Sequence, residues 1–252
     1  MGIELTPVLG LPEIRPGDDL PEIIGDAIAP IGLQNGDVLT SAHKIVSKAE
    51  GQVISLADVT PSAEACRYAD DLNKDPRKVE VILRESIRVV RSFRHPHQNE
   101  GVMICQHRLG FISANAAVDE SNVGADETVI ILPQDPDKSA RKLRERLQKR
   151  FGVRLGVVIT DTFGRPWRLG QVNVVIGLAG VPATIHEGGK ADAYGRALAV
   201  TEPAFADEIA AASGLVVGKA AHTPVVRFRG LEWPESNHRA ADILRASKEN
   251  VF

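Results

Sequence analysis

The chain has 252 residues, of which 43% are hydrophobic and 25% charged, and its formal net charge is −3. That balance gives no global attraction to nucleic acid or to anionic membranes, and no apolar run approaches the ~18 residues of a membrane span. Two cysteines, Cys66 and Cys105, are too few for a disulfide framework or a structural zinc site. The opening "MGIELTPVLGLPEIRPGDD" lacks the basic-then-apolar order of a signal peptide, so a cytoplasmic protein is expected. Aromatic residues make up only 4%, and a core of Val, Ile, Leu and Ala favours an α/β or α+β architecture.

In chain order, Ile3 to Val8 reads as a first strand, ended by a turn rich in Gly10, Pro12, Pro16 and Gly17. A helix follows over Asp19 to Ile28, with Leu20, Ile23, Ile24 and Ala27 at helical spacing and Asp18 as N-cap. Asn35-Gly36 marks a turn, Val38 to Ser41 a short strand, and a helical turn then runs towards Gly51. Pro61 to Leu72 and Pro76 to Glu85 each open on a proline, which suits a first helical position. Two or three strands fill Ile87 to Ile112. A strand and a Pro-rich turn precede a helix with Asp137 near its start, Leu143, Leu147 and Phe151 on one face, and Gly152 at its end. Strands are expected at Val153 to Ile159, Val172 to Ile176 and Ala183 to His186. An Ala-rich helix over Pro203 to Ser213, a strand over Val225 to Arg229 and a last helix over Arg239 to Ala246 complete the chain. Helices and strands alternate irregularly, so the fold class is α+β with a mixed sheet.

The standard phosphate-loop, zinc-protease and serine-hydrolase signatures are absent; "GLVVGKA" at Gly214 to Ala220 has the wrong glycine spacing for a phosphate loop. What the residues offer instead is hard oxygen donors at turn positions. "SANAAVDESNVG" carries Asp119 and Asn122, and "VVITDTFGRPWR" carries Asp161 and Thr162 after an apolar run. Carboxylates and hydroxyls suit Mg²⁺ or Mn²⁺, which take few protein ligands and keep positions for phosphate oxygens. Capped turns use the same residue types, so both readings stand at this level. "HKIVSKAEG" sets His43, Lys44, Lys48 and Glu50 just past a strand, where lysine can meet phosphate as a point charge. Arg165 and Arg168 fit either an anion clamp or structural ion pairs. The basic helix Lys138 to Arg150 reads as a solvated face, and His107, His186 and His222 as packing or surface residues.

Seven stretches in order, "VLGLPEIRPGDDL", "GDVLTSAHKIVSKAEG", "ANAAVDESNV", "PQDPDKSARKLRERL", "GVVITDTFGRPWRLGQ", "TEPAFADEIAAASGLVVGKA" and "PVVRFRGLEW", resemble the coenzyme F-420:L-glutamate ligases, also called F-420-0:γ-glutamyl ligases. The resemblance spans roughly residues 3 to 233. It implies a GTP-dependent amide ligase in the stand-alone form, without the nitroreductase-like domain of some bacterial relatives. Such an enzyme adds L-glutamate to F-420-0 or its dehydro form, then further glutamates in γ-linkage, through an acyl phosphate. It also implies two α+β subdomains per chain, with mixed or antiparallel sheets, intertwined into a homodimer. Mn²⁺ or Mg²⁺ is the implied metal, and K⁺ a further candidate cation.

Carried over by motif, Leu11, Pro12, Glu13 and Ile14 match the segment lining the guanine nucleotide, with His43, Lys48 and Asn122 as further nucleotide contacts. Asp119 and Asp161 match ligands of a first metal and Thr162 a ligand of a second; Asp119, Asp161 and Lys48 are the expected catalytic residues. The chain departs from the family pattern twice. A small hydroxyl residue often stands where it has His43. Archaeal relatives carry an acidic residue where it reads Lys219, which leaves that lysine as a candidate phosphate contact. Readings from other classes are a metal-dependent phosphohydrolase using the same carboxylates and a non-catalytic deazaflavin-binding protein.

Overall fold

The computed structural model describes residues 2–120, 127–189, 193–196, 201–217 and 223–249. Its centre is a five-stranded mixed sheet in the order β1 (Glu4–Pro7), β10 (Val225–Arg229), β2 (Asp37–Ala42), β8 (Leu155–Arg165), β9 (Arg168–Ala179). β2 and β8 run parallel, with Asp37 opposite Leu155 and Ala42 opposite Thr160, and the other three pairings are antiparallel. Val157, Val158 and Ile159 are consecutive and all buried, so both faces of β8 are covered; a continuous β-branched run is what such a strand requires.

Helix α5 (Pro136–Phe151) packs on β8 and β9, with α1 (Leu20–Ile28) against it. α5 buries Ala140, Leu143 and Leu147 and ends at Gly152, whose φ of 67° supplies the left-handed cap. α6 (Phe205–Ser213) also packs on β9, and α2 (His43–Ala49) follows β2 without a loop. A second layer holds α3 (Ala63–Leu72) and α4 (Pro76–Arg84) over a three-stranded antiparallel sheet, β4 (Ser86–Phe93), β5 (Val102–His107) and β6 (Ile112–Ala114). Leu72, Val79, Ile82, Met103 and Cys105 form its core. A two-stranded ladder, β3 (Val53–Ser55) with β7 (Thr128–Ile130), packs Val129 against Val81. The architecture is α+β, as expected, with mixed and antiparallel sheets.

Several boundaries differ from the sequence expectation for local reasons. Asp19, not Asp18, caps α1 by accepting from the Glu22 amide, while Asp18 accepts from the Arg15 amide and closes the Pro16–Gly17 turn. Ser62 caps α3, which puts Pro61 outside the helix. Asp135 caps α5, and Asp137 lies in its first turn, as expected. The Asp137 carboxylate accepts from the amides of Leu178 and Ala240, tying α5 to β9. Ala183 to His186 is not a strand: Ile185 and Glu187 donate to the carbonyls of Pro203 and Thr201, outside any sheet. The expected last helix over Arg239 to Ala246 reduces to one short 3₁₀ turn, Ala240–Ile243, and a second, Ser247–Glu249, follows it. The largest difference is at β8, which does not stop at Thr160. It continues through the polar stretch to Arg165 and returns as β9.

Candidate functional site

The parallel pair β2 and β8 carries its carboxyl ends to one edge of the sheet. β2 leads straight into His43 and Lys44, and beside it β8 delivers Thr160, Asp161 and Thr162. Ligands in open sheets gather at the carboxyl ends of parallel strands, where loops and helix starts replace the ladder. β1 and β10 run antiparallel to this pair or its neighbour, bringing the Leu11–Ile14 segment and Thr223–Pro224 to the same end. Between these elements lies a cavity of about 610 Å³. It is lined by Leu11, Pro12, Glu13 and Ile14, by His43, Lys44 and Lys48 of α2, and by Asp119, Asp161 and Thr162. Every site residue expected from the sequence therefore faces one cleft except Asn122, which lies outside the described residues, as do Lys219 and His222.

Helix α2 presents its basic side chains as a comb against acidic groups from three separate segments. His43 Nε2 lies 3.3 Å from Asp161 Oδ1, Lys44 Nζ lies 2.7 Å from Asp119 Oδ2, and Lys48 pairs with Glu13. Each pair joins α2 to a different part of the rim. His43 is only 2% exposed; its Nδ1 meets Ser47 Oγ at 3.3 Å, and its Nε2 has no aligned hydrogen-bond partner among the described residues. Glu50 takes no part, because it accepts from Ser139 on α5.

The oxygen donors on β8 are held from behind. The Thr162 hydroxyl donates to Asn173 Oδ1 at 2.8 Å, the Asn173 amide group donates to Ser213 Oγ at 3.2 Å, and Ser213 donates to the Ala210 carbonyl at 2.6 Å. With its proton spent on Asn173, the Thr162 oxygen keeps its lone pairs for the cleft. Asp161 Oδ1 accepts from the Thr162 amide at 2.6 Å, which fixes the carboxylate relative to its neighbour. Asn173 sits opposite Thr162 because β9 carries a bulge: Ile159 pairs with Gly177 but Thr160 with Val175, so Ile176 is extra. Asp207 of α6 accepts from the Val175 amide at 2.9 Å and pins that irregularity. Burial pushes the Asp207 carboxyl above its usual range, against the opposing pull of the Val175 amide.

Asp119 follows a strained turn. Asn115, Ala116 and Ala117 all have φ near +50°, a left-handed run that non-glycine residues seldom adopt. The backbone of Asp119 then bridges to Ile130 in both directions, at 3.0 and 2.8 Å, anchoring it beside β7. Arg165 and Arg168 do not line the cleft. They flank the tip of the β8–β9 hairpin, where Arg165 donates to the Leu169 carbonyl at 2.8 Å. His107 is a packing residue, fully buried 3.2 Å from Glu85, which also accepts from Arg108. Burial opposes ionisation of Glu85, but the His107 and Arg108 contacts outweigh it and hold the carboxyl below its usual range.

Asn173, Gln171 and Ser213 line the cleft and were not singled out from the sequence. The alternation of polar residues in "GQVNVV" is the one signal that could have indicated Asn173 and Gln171, and nothing local marks Ser213. Among the described residues, no group of three or more His, Cys, Asp or Glu side chains forms a ready cage for a metal. The donor set still fits a divalent cation shared with phosphate, since such ions take few protein ligands. Asp161, Thr162 and the unsatisfied His43 nitrogen share one side of the cleft, and Asp119 lines it as well.

Lysines and carboxylates interleave around one cleft of this α+β protein, an arrangement suited to anionic small molecules. The comparisons specify which. The model of the F420-0:gamma-glutamyl ligase family matches residues 9–230, and the chain belongs to that family. It is 46% identical to the coenzyme F420:L-glutamate ligase of Methanopyrus kandleri, over 99% of this chain and 97% of the relative. It is 42% identical to the protein of that name from Methanothermobacter thermautotrophicus, over 100% and 99%, and 38% identical to that from Methanocaldococcus jannaschii, over 97% and 94%.

Proposed function

We propose that this chain is a GTP-dependent, metal-requiring ligase that joins L-glutamate to F420-0 or its dehydro form and extends the product in γ-linkage. The observation that carries the reading is the convergence on one cavity of Leu11 to Ile14, His43, Lys48, Asp119, Asp161 and Thr162, although they come from four distant stretches of sequence. Asp119, Asp161 and Thr162 would hold Mn²⁺ or Mg²⁺, with K⁺ a further candidate. The metal would polarise the nucleotide phosphates and offset charge during phosphoryl transfer. Leu11 to Ile14 would line the guanine, with Lys48 and Asn122 as further contacts.

The paired comb explains how the site receives so much charge. With nucleotide and cation bound, Lys44 and Lys48 would meet phosphate oxygens in place of Asp119 and Glu13, and Asp119 would be left to hold the cation. Few charges are then left unpaired in the cleft, which matters because an isolated buried charge costs several kcal/mol. The carboxylate of the precursor would take the γ-phosphoryl group of GTP with release of GDP, and the glutamate amine would attack the resulting acyl phosphate, forming the amide as phosphate leaves with the amine's proton. Positioning and electrostatics carry these steps, and no protein nucleophile is required.

We also propose a homodimer. Its support is the β8–β9 hairpin, whose tip leaves Trp167 81% and Leu169 98% exposed, a costly display for a solvated turn. Light scattering on the purified chain tests it, and a monomer at micromolar concentration overturns it. For the ligase reading, the test is mass spectrometry of products from each precursor with GTP, glutamate and metal. The expected result is GDP and a glutamylated product only when precursor and glutamate are both present. Phosphate release from GTP or a phosphate ester without either co-substrate would instead indicate a phosphohydrolase. Precursor binding without nucleotide affinity would indicate a non-catalytic binding protein.

A further inference from the structure

His43 is the member of the basic comb that ordinary side-chain pairing does not explain. It is buried to 2% exposure at the start of α2, lines the cleft, and has one nitrogen without an aligned hydrogen-bond partner among the described residues. A buried polar atom in that condition is destabilising unless something compensates it. Asp161 is a poor candidate for that role as a simple acceptor. The Nε2 to Oδ1 separation is 3.3 Å, without hydrogen-bond alignment, and Oδ1 already accepts from the Thr162 amide at 2.6 Å.

We propose that His43 is a direct metal ligand of this cleft, its Nε2 sharing one cation with Asp161 and biasing the site toward a transition metal over Mg²⁺. The inference rests on the reading of the cleft as a metal–nucleotide site. Two neighbouring donors on an octahedral cation, each about 2.1 Å from it, stand about 3.0 Å apart. The observed 3.3 Å between Nε2 and Oδ1 is close to that edge. The other ring nitrogen is already provided for: Nδ1 faces Ser47 Oγ on the next turn of α2. A proton on Nδ1 directed at that hydroxyl would leave the Nε2 lone pair facing the cleft. A ligating histidine is normally oriented in this way by a partner on its second nitrogen. Mg²⁺ strongly prefers oxygen, whereas imidazole raises affinity along the series from Mn²⁺ to Co²⁺ and beyond. One residue on α2 therefore sets metal preference without altering the carboxylates.

The test uses the full chain loaded with Mn²⁺ alone and read by electron spin-echo envelope modulation, with natural-abundance and ¹⁵N-histidine protein compared. The expected result is a ¹⁴N modulation that changes on ¹⁵N-histidine labelling and is lost in His43→Gln. Competition titrations should also show His43→Gln losing about tenfold or more of its Co²⁺ affinity relative to Mg²⁺. Bound Mn²⁺ with no nitrogen coupling in the unsubstituted protein overturns the inference while leaving the metal site intact, and that spectrum needs no variant to fold. Coupling that persists in His43→Gln also overturns it. Failure of Mn²⁺ to bind at all, with or without GTP, overturns the metal reading of the cleft itself.

Discussion

Asp207 offers a direct test of how the bulge in β9 supports the cleft. Its carboxylate takes the Val175 amide at 2.9 Å, and Val175 is 1% exposed. Asp207→Ala leaves that amide buried and without an acceptor, a loss of about 1–3 kcal/mol. Asp207→Asn keeps a carbonyl oxygen for the amide, so the cost should stay within about 0.5 kcal/mol. The charge adds a pH dependence. Burial raises the folded-state pKa of Asp207 above that of the unfolded chain. The stability this group contributes is fully present below the unfolded value of about 3.9, and it is lost as pH rises through the raised folded value. Asparagine has no proton to lose, so Asp207→Asn should gain on the unsubstituted protein as pH rises. The buried Asp137 shifts in the same direction but is common to both proteins and cancels in the comparison. Urea unfolding at about pH 4 and pH 8, with slopes compared, measures both effects. Equal stabilities for the Ala and Asn variants, or a pH-independent gap between Asn and the unsubstituted protein, would refute the account. Ligation assays on the Ala variant should show impaired turnover, because the bulge places Asn173 opposite Thr162.

Other substitutions separate binding, chemistry and strain. Asp161→Ala should abolish ligation with secondary structure retained by circular dichroism; near-normal turnover at saturating Mn²⁺ would remove Asp161 from the metal site. Lys48→Ala removes a charge-assisted contact worth about 1.5–3 kcal/mol, so KM for GTP should rise roughly ten- to hundredfold. Its thermal stability should barely move, because the paired Glu13 is largely exposed. Ala117→Gly relieves a left-handed φ of 56° and should stabilise the chain by about 0.5–1 kcal/mol; destabilisation by that amount would show that the methyl packs productively. Gly177→Ala should cost about 1–3 kcal/mol, because its new methyl would meet the Pro136 backbone at 2.5 Å; an unchanged melting temperature would contradict the close packing of β9 on α5.

The fold was legible where hydrophobic pattern and punctuation agree. α5 shows this best, with Leu143 and Leu147 on its buried face and Gly152 at its end. It was illegible where tertiary context decides. β3 and β7 have three residues each, too few to show a period. The outer half of the β8–β9 hairpin leaves the core, so nothing imposes an apolar alternation on Thr162 to Arg165. The polar residues that looked like a strand's end are strand. Conversely, Ala183 to His186 is apolar enough to suggest a strand but bonds to residues 201–203 instead.

The candidate site divides along the same line. Asp119, Asp161, Lys48 and the Leu11–Ile14 segment lie in motif stretches and were marked from sequence; their supports were not. Asn173 acquires its role from a single extra residue at Ile176, and Ser213 from the point where α6 ends against β9. Neither position has a spacing rule, because each depends on a register set by packing and by the Asp207 clamp. The motif residues supply the donors, and these supports fix their direction. That dependence explains why a cleft built from four distant stretches needs a bulge at all. β8 must be regular enough to pair with β2 through Thr160 and must also turn Thr162 towards an acceptor on β9. One added residue in β9 satisfies both requirements, and the orientation of the proposed metal ligands follows from it.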